Sequence, residues 1–312
     1  MAQHPPSRDG ALRGAHRYAC DRFHALDAQP PYSDTLKKII LGTRGSDLAL
    51  VQTRETASRL RLAYPGLEIE ERIIKTTGDK RLDVSLSAPG SLDKGLFTKE
   101  LEEALLRGEI HAAVHSLKDL PTELPPKLVV GAILEREEDS DCLASKYDGG
   151  WQGLPLGTIV ATSSLRRKNQ LLLLRPDLQT VEIRGNMGTR LRKLLESDTL
   201  SALILAKAAI NRLGQDLIPE GIRVTVIEEM LPAPGQGAIG IECLEDDTET
   251  LRILAAIHHE ETARCVNAER DFLKNLGGGC SLPLGTRAII KDGKIHLRAA
   301  LFQNGRVEWL TP

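Results

Sequence analysis

The residues best placed to do chemistry are His115-Ser116-Leu117-Lys118-Asp119-Leu120-Pro121. They follow Ile110-His111-Ala112-Ala113-Val114, an apolar run of the length and kind of a buried parallel strand. The chain leaves that strand with a hydroxyl, an ammonium and a carboxylate in quick succession, and Pro121 stops regular continuation. In open α/β sheets ligands bind in the crevice beyond the carboxyl ends of the strands, so Asp119 stands where a catalytic acid would be placed. Lys118 and Asp119 fit an ordinary solvated loop pair equally well, and the spacing alone does not separate the two.

A second set of reactive types is basic. Strand Thr158 to Ala161 leads into Thr162-Ser163-Ser164-Leu165-Arg166-Arg167-Lys168, and strand Thr180 to Ile183 into Arg184-Gly185-Asn186-Met187-Gly188-Thr189-Arg190. Strand Ala202 to Leu205 then leads into a helix carrying Arg212. Between Ser163 and Lys193 there are eight Lys/Arg against two acids, Asp177 and Glu182, in a chain of net charge -2. Three successive strand-to-helix turns that put Ser, Thr and Arg at one sheet edge describe a polyanion cradle, because arginine forks grip carboxylates at two points and stay charged when desolvated. Solvated helix faces would also use these arginines. A nucleic-acid groove is disfavoured by an aromatic content of 3% and the acidic remainder.

Two further sites stand out. Thr43-Arg44-Gly45-Ser46 turns from the strand Lys38 to Gly42 into a helix, with Ser46 as N-cap, and backbone N–H groups there suit an anion beside the Arg44 fork. Gly277-Gly278-Gly279-Cys280-Ser281 puts a thiol on a sterically open loop, which is not a core position.

The elements that must hold these residues alternate strand and helix. Residues 1 to 36 form an extension without periodicity, expected to be poorly ordered. A first domain spans 37–134 and 238–255, a second 140–231, and a third 260–312. The charged run Glu135 to Asp139 and the stiff segment Leu231-Pro232-Ala233-Pro234-Gly235-Gln236-Gly237 serve as two crossings. The expected fold is α/β: two doubly wound lobes with a hinged cleft, periplasmic-binding-protein-like of type II, plus a small α+β C-terminal domain.

Composition narrows the class. At 312 residues, 41% hydrophobic and 27% charged, the chain can bury real cores. Its five scattered cysteines lack C-x-x-C spacing, which fits a reducing compartment and neither a disulfide framework nor a zinc site. No apolar run reaches membrane-spanning length and the polar first residues are no signal peptide, so a cytoplasmic location is expected.

These motifs together resemble the porphobilinogen deaminase (hydroxymethylbilane synthase) family. The likeness rests on G-T-R-G-S at 42–46, T-G-D at 77–79, K-G-L-F-T-K-E-L at 94–101 and A-V-H-S-L-K-D-L-P at 113–121. It continues in T-S-S-L-R-R at 162–167, R-G-N-M-G-T-R-L-R-K-L at 184–194, P-G-Q-G-A-I-G at 234–240, A-E-R at 268–270 and G-G-G-C-S-L-P at 277–283.

The resemblance implies head-to-tail condensation of four porphobilinogens, with release of ammonia, into linear hydroxymethylbilane. It implies a dipyrromethane cofactor held as a thioether by Cys280, and Asp119 as the catalytic residue. It also implies binding by Arg44, Ser46, Lys94, Ser116, Lys118, Thr162, Ser163, Ser164, Arg166, Arg167, Arg184, Gly185, Arg190 and Arg212. No metal, nucleic acid or membrane enters this scheme, and the enzyme is expected to be a monomer. A low-activity truncated paralogue and a two-lobed solute-binding or sensor protein are the alternatives; neither Asp119 nor Cys280 is needed by a plain binding protein. The segment Leu86 to Lys94 is longer than the family pattern, Lys207 and Ala209 replace its usual small neutral residue and glycine, and the third-domain sheet is expected to be partly uncovered.

Overall fold

A computed structural model describes residues 37–80, 97–277, 282–303 and 305–310. The expected extension, Lys94 and Cys280 lie outside these residues.

In chain order the elements are β1 (Lys38–Thr43), α1 (Asp47–Ala63), β2 (Glu68–Ile73), α2 (Thr77–Lys80), α3 (Lys99–Leu106), β3 (Ala112–Ser116) and β4 (Leu128–Ile133). Next come β5 (Asp141–Ser145), β6 (Ile159–Ala161), α4 (Leu165–Leu174), β7 (Gln179–Val181), α5 (Met187–Glu196), β8 (Leu200–Ala206), α6 (Lys207–Leu213) and β9 (Arg223–Ile227). The chain closes with β10 (Ile239–Leu244), α7 (Thr248–Ala255), α8 (Glu260–Asn275), β11 (Leu284–Lys291), β12 (Lys294–Gln303) and β13 (Arg306–Leu310).

Two five-stranded sheets result, ordered β2-β1-β3-β10-β4 and β7-β6-β8-β5-β9. In the first, β1 runs parallel to β2 and β3, while β10 runs antiparallel to β3 and β4. The strand before Asp119 is thus parallel on one side only, because β10 returns from the other lobe instead of through a helical crossover. The second sheet repeats the scheme: β6 is parallel to β7 and β8, and β5 is antiparallel to β8 and β9. Each sheet is covered by its own apolar core. Ile39, Leu41, Ala57, Leu60 and Ile241 belong to one, and Leu191, Leu194, Leu203, Leu205 and Ile210 to the other.

β5, β9 and β13 fall where the sequence pattern marked no strand. β5 opens on a charged residue and is buried on both faces, so it shows neither alternation nor a continuous apolar run.

The two crossings lie side by side. Leu134 N–H donates to the Ile239 carbonyl (3.0 Å) and Glu137 N–H to the Gly237 carbonyl (3.2 Å). Gly237 has φ +88° and a Cβ there would sit 2.4 Å from the Glu137 carbonyl oxygen, so the pairing requires glycine.

The third unit fastens to this junction. Glu269 of α8, fully buried, accepts from Arg136 Nη1 and Nη2 (2.8 and 3.1 Å), from Gly235 N–H (2.8 Å) and from Ala288 N–H (2.8 Å). One carboxylate thereby ties both crossings to α8 and β11. Part of the β11–β12–β13 sheet packs Ala300 and Phe302 against Leu231 and Leu173. Ile289, Val307 and Trp309 are exposed, with Arg298 over the Trp309 ring at 5.4 Å.

Candidate active site

β3 ends at Ser116 and the chain makes one tight turn over Leu117–Asp119. Leu117 is fully buried among Val130, Ile133, Ala263 and Val266, which pins the turn from below. Arg270 of α8 pins it from the side: Nη1 donates to the Leu117 and Leu120 carbonyls (3.0 and 2.8 Å), and Nη2 to the Pro121 carbonyl (2.7 Å). These anchors turn Asp119 outward. Its exposed carboxylate has no hydrogen bond or ion pair among the described residues.

Asp119 lines a pocket with Arg44, Ser46, Gln52, Phe97, His115 and Ser116. The Arg44 guanidinium lies 4.3 Å from the centroid of Phe97. Ser46 stands at the N-cap position of α1 without a side-chain cap bond. Ser116 Oγ donates to Gln52 Oε1 (3.0 Å). Behind the pocket wall, buried His115 and Glu242 meet at 3.1 Å.

Lys118 points toward the crossings, with Nζ 3.3 Å from Gln236 Oε1. Desolvation, aided by the nearby Arg167, pushes its pKa down to about 8, while Asp119 and Asp141 pull the other way.

Across the cleft, the strand-to-helix turns fold as capped helix starts. Ser164 is the N-cap of α4, its Oγ accepting from Arg167 N–H (3.4 Å). Thr162 Oγ1 accepts from Ser164 N–H (3.2 Å), and Ser163 Oγ donates to the Ile183 carbonyl (2.8 Å). Arg166 and Arg167 are both buried. Arg166 Nη1 donates to Asp141 Oδ2 (2.6 Å) and to the Leu231 carbonyl (2.6 Å). Arg167 donates to Asp141 Oδ1 through Nε (3.0 Å) and Nη2 (2.8 Å). Burial pushes the Asp141 pKa up, but the two guanidiniums more than reverse this and hold it well below the carboxylate range.

Gln236, fully buried in the return crossing, joins the two sides. Its Nε2 donates to Asp141 Oδ1 (2.9 Å) and its Oε1 accepts from Lys118 and from Arg167 Nη2 (3.4 Å). Lys118, Arg166 and Arg167 are therefore parts of one network.

Arg190 Nε donates to the Gly185 carbonyl (2.8 Å), possible because Gly185 holds φ +116°. Burial, Arg167 and Arg184 lower the Arg190 pKa, and Asp119 raises it from across the cleft. Arg184 lies half-buried in the same turn. Arg212 turns away toward the first lobe, where its Nε meets Glu55 Oε2 at 3.0 Å. Lys94 and Cys280, outside the described residues, are not placed.

Asp141, Gln236, Arg270 and Glu55 carry functional contacts that sequence reasoning did not assign. Gln236 and Arg270 lie within the motifs P-G-Q-G and A-E-R, whose partners are distant in sequence. Among the described residues no cluster of His, Cys, Asp and Glu is arranged to hold a metal, and no helix is long and apolar enough to cross a membrane.

Residues 39–252 match the family model described as porphobilinogen deaminase, dipyromethane cofactor binding domain, and 263–309 match the porphobilinogen deaminase C-terminal domain. The porphobilinogen deaminase of Syntrophomonas wolfei subsp. wolfei is 48% identical over 267 residues, 85% of either chain. That of Chloroherpeton thalassium is 49% identical over 260 residues, covering 83% of this chain and 81% of its own. A solved structure, the Bordetella pertussis BvgS periplasmic VFT2 domain, aligns over 81% of this chain and 98% of its own at 14% identity, with a TM-score of 0.42. With two family models covering most of the chain and relatives near half identity, this protein belongs to the porphobilinogen deaminase family.

Proposed function

We propose that this protein condenses four porphobilinogen molecules head to tail, releasing ammonia, into linear hydroxymethylbilane. The observation that supports this most is an exposed Asp119 carboxylate, without a hydrogen bond among the described residues, in a pocket with Arg44, Ser46 and Ser116, in a chain of this family.

A dipyrromethane fits the residues present. Pyrrole N–H groups need an acceptor without a competing donor, which Asp119 is, and the acetates and propionates need cations and donors on the facing wall. When bound, the dipyrromethane supplies a covalently held pyrrole end for chain growth, and Cys280 is the residue we assign to hold it.

The chain's own side chains do the rest. Asp119 orients the pyrrole N–H groups, stabilises positive charge developing on the ring nitrogen as ammonia leaves, and moves the proton at the carbon being joined. Arg44, Arg184, Arg190 and Arg212 bind ring carboxylates together with Lys94, Ser46, Ser116 and the hydroxyls of Thr162, Ser163 and Ser164. Arg166 and Arg167, held by Asp141, lend positive charge to the wall from behind it. Residues 37–134 with 238–255 and residues 140–231 act as the two lobes, and 260–312 as the unit bearing the cofactor cysteine. The protein works as a cytoplasmic monomer on a small-molecule substrate, without nucleic acid or membrane; net charge -2 and low aromatic content support the exclusion of nucleic acid.

The intact mass of the purified protein tests this beside Cys280→Ser. An excess of two condensed pyrrole units in the native chain alone is expected. A bare polypeptide mass that persists after incubation with porphobilinogen overturns the proposal.

A further inference from the structure

Among the polar contacts that join the lobes, two set a carboxylate of α1 against the basic lobe. Glu55 Oε2 accepts from Arg212 Nε at 3.0 Å, and Asp47 Oδ2 accepts from the Asn186 side-chain amide at 3.2 Å. Both partners stand with candidate ligand groups: Asn186 follows Arg184 and Gly185 directly, and Arg212 of α6 is itself one of the arginines. The Arg212 side chain is 6% exposed, so its pairing with Glu55 is a desolvated contact rather than a loose surface bridge. Glu55 Oε1 lies 3.5 Å from Arg59 Nη2 on the same helix, so the carboxylate is held at both oxygens. Among the described residues the terminal nitrogens of Arg212 hold no hydrogen bond, and Glu137 of the first crossing also feels its charge.

We propose that Glu55 sets the affinity of the cleft for the pyrrole carboxylates by acting as the protein's own counter-ion at Arg212. This rests on Arg212 being a carboxylate-binding residue of the proposed reaction. A guanidinium offers two edges to carboxylates, and Glu55 takes the Nε side. A ligand acetate or propionate arriving at the terminal nitrogens meets a cation already half neutralised, with a like charge behind it. Its hold is weaker than at a bare arginine. That suits a site whose product carries an acetate and a propionate on every ring and must nevertheless be released. The same ion pair ties α1 to α6.

The test is steady-state kinetics of the holoenzyme with porphobilinogen for Glu55→Gln, an isosteric change at a half-exposed residue, beside Arg212→Lys. Glu55→Gln is expected to lower KM roughly three- to tenfold at low ionic strength with kcat within about twofold of the parent, the gain fading in added salt. Arg212→Lys is expected to raise KM about tenfold or more, since lysine cannot form the fork. A raised KM in Arg212→Lys with an unchanged or higher KM in Glu55→Gln overturns the counter-ion role and leaves Arg212 as a ligand group. An unchanged KM in Arg212→Lys removes the reading of Arg212, and the proposal with it. A structural tie alone would lower Tm in Glu55→Gln without lowering KM, which also overturns it.

Discussion

The two walls of the cleft treat their charges in opposite ways. On the first lobe Asp119 is held by its backbone, through Arg270 and buried Leu117, while its carboxylate makes no hydrogen bond or ion pair among the described residues. On the second lobe the arginines are held by their own charged ends, by Asp141, the Leu231 and Gly185 carbonyls and Glu55. A carboxylate that must respond to charge developing in a transition state gains from having no ground-state partner to give up. Long cationic side chains that must present a fixed pattern to a polycarboxylate gain from being immobilised beforehand.

The sharpest way to break this comparison is Asp119→Asn. Asparagine keeps the shape but carries no charge and cannot take a proton, so turnover is expected to fall by about a hundredfold or more while Tm changes little. Cofactor attachment, read by intact mass, remains possible. Near-full activity in the variant would mean that the open carboxylate is not the catalytic group.

Asp141→Asn is the converse experiment. It leaves Arg166 and Arg167 buried with their shared negative charge gone, and removing one partner of a buried pair costs about 3–5 kcal/mol. Denaturant unfolding should show most of that loss. An unchanged midpoint would mean that the two guanidiniums need no internal counter-ion, and that the network through Gln236 and Lys118 does not organise them.

Much of the first wall was legible in the sequence, because strand, turn and proline fall within a dozen residues and the chemistry is contiguous. The arginine turns were legible as turns for the same reason. Their electrostatics were not. Counting acids between Ser163 and Lys193 could not find Asp141, which lies in a strand with no visible period, nor Glu55, which meets Arg212 from a helix 157 residues away in sequence. Arg270 is equally remote: it reaches the Asp119 turn from a helix about 150 residues later, so local reading sees a basic residue within a helix and no more. Contacts closed by tertiary packing leave no local pattern, and here they are the ones that set charge.

The smallest effect, and the one that ties the two walls together, is at Lys118. Its pKa is lowered from 10.5 to about 8, so the ammonium beside Asp119 is charged below that pH and lost above it. The alkaline limb of kcat/KM is therefore expected near pH 8, and Lys118→Arg should move it upward, because a guanidinium stays protonated. Stability runs the other way. Between about 8 and 10.5 the unfolded chain binds more protons at this residue than the folded one, so unfolding free energy from this group rises with pH across the window in which activity falls. A limb unmoved in Lys118→Arg would separate Lys118 from the catalytic charge balance. Stability rising through the same window would then leave it as a buried cation that serves the Gln236 contact alone.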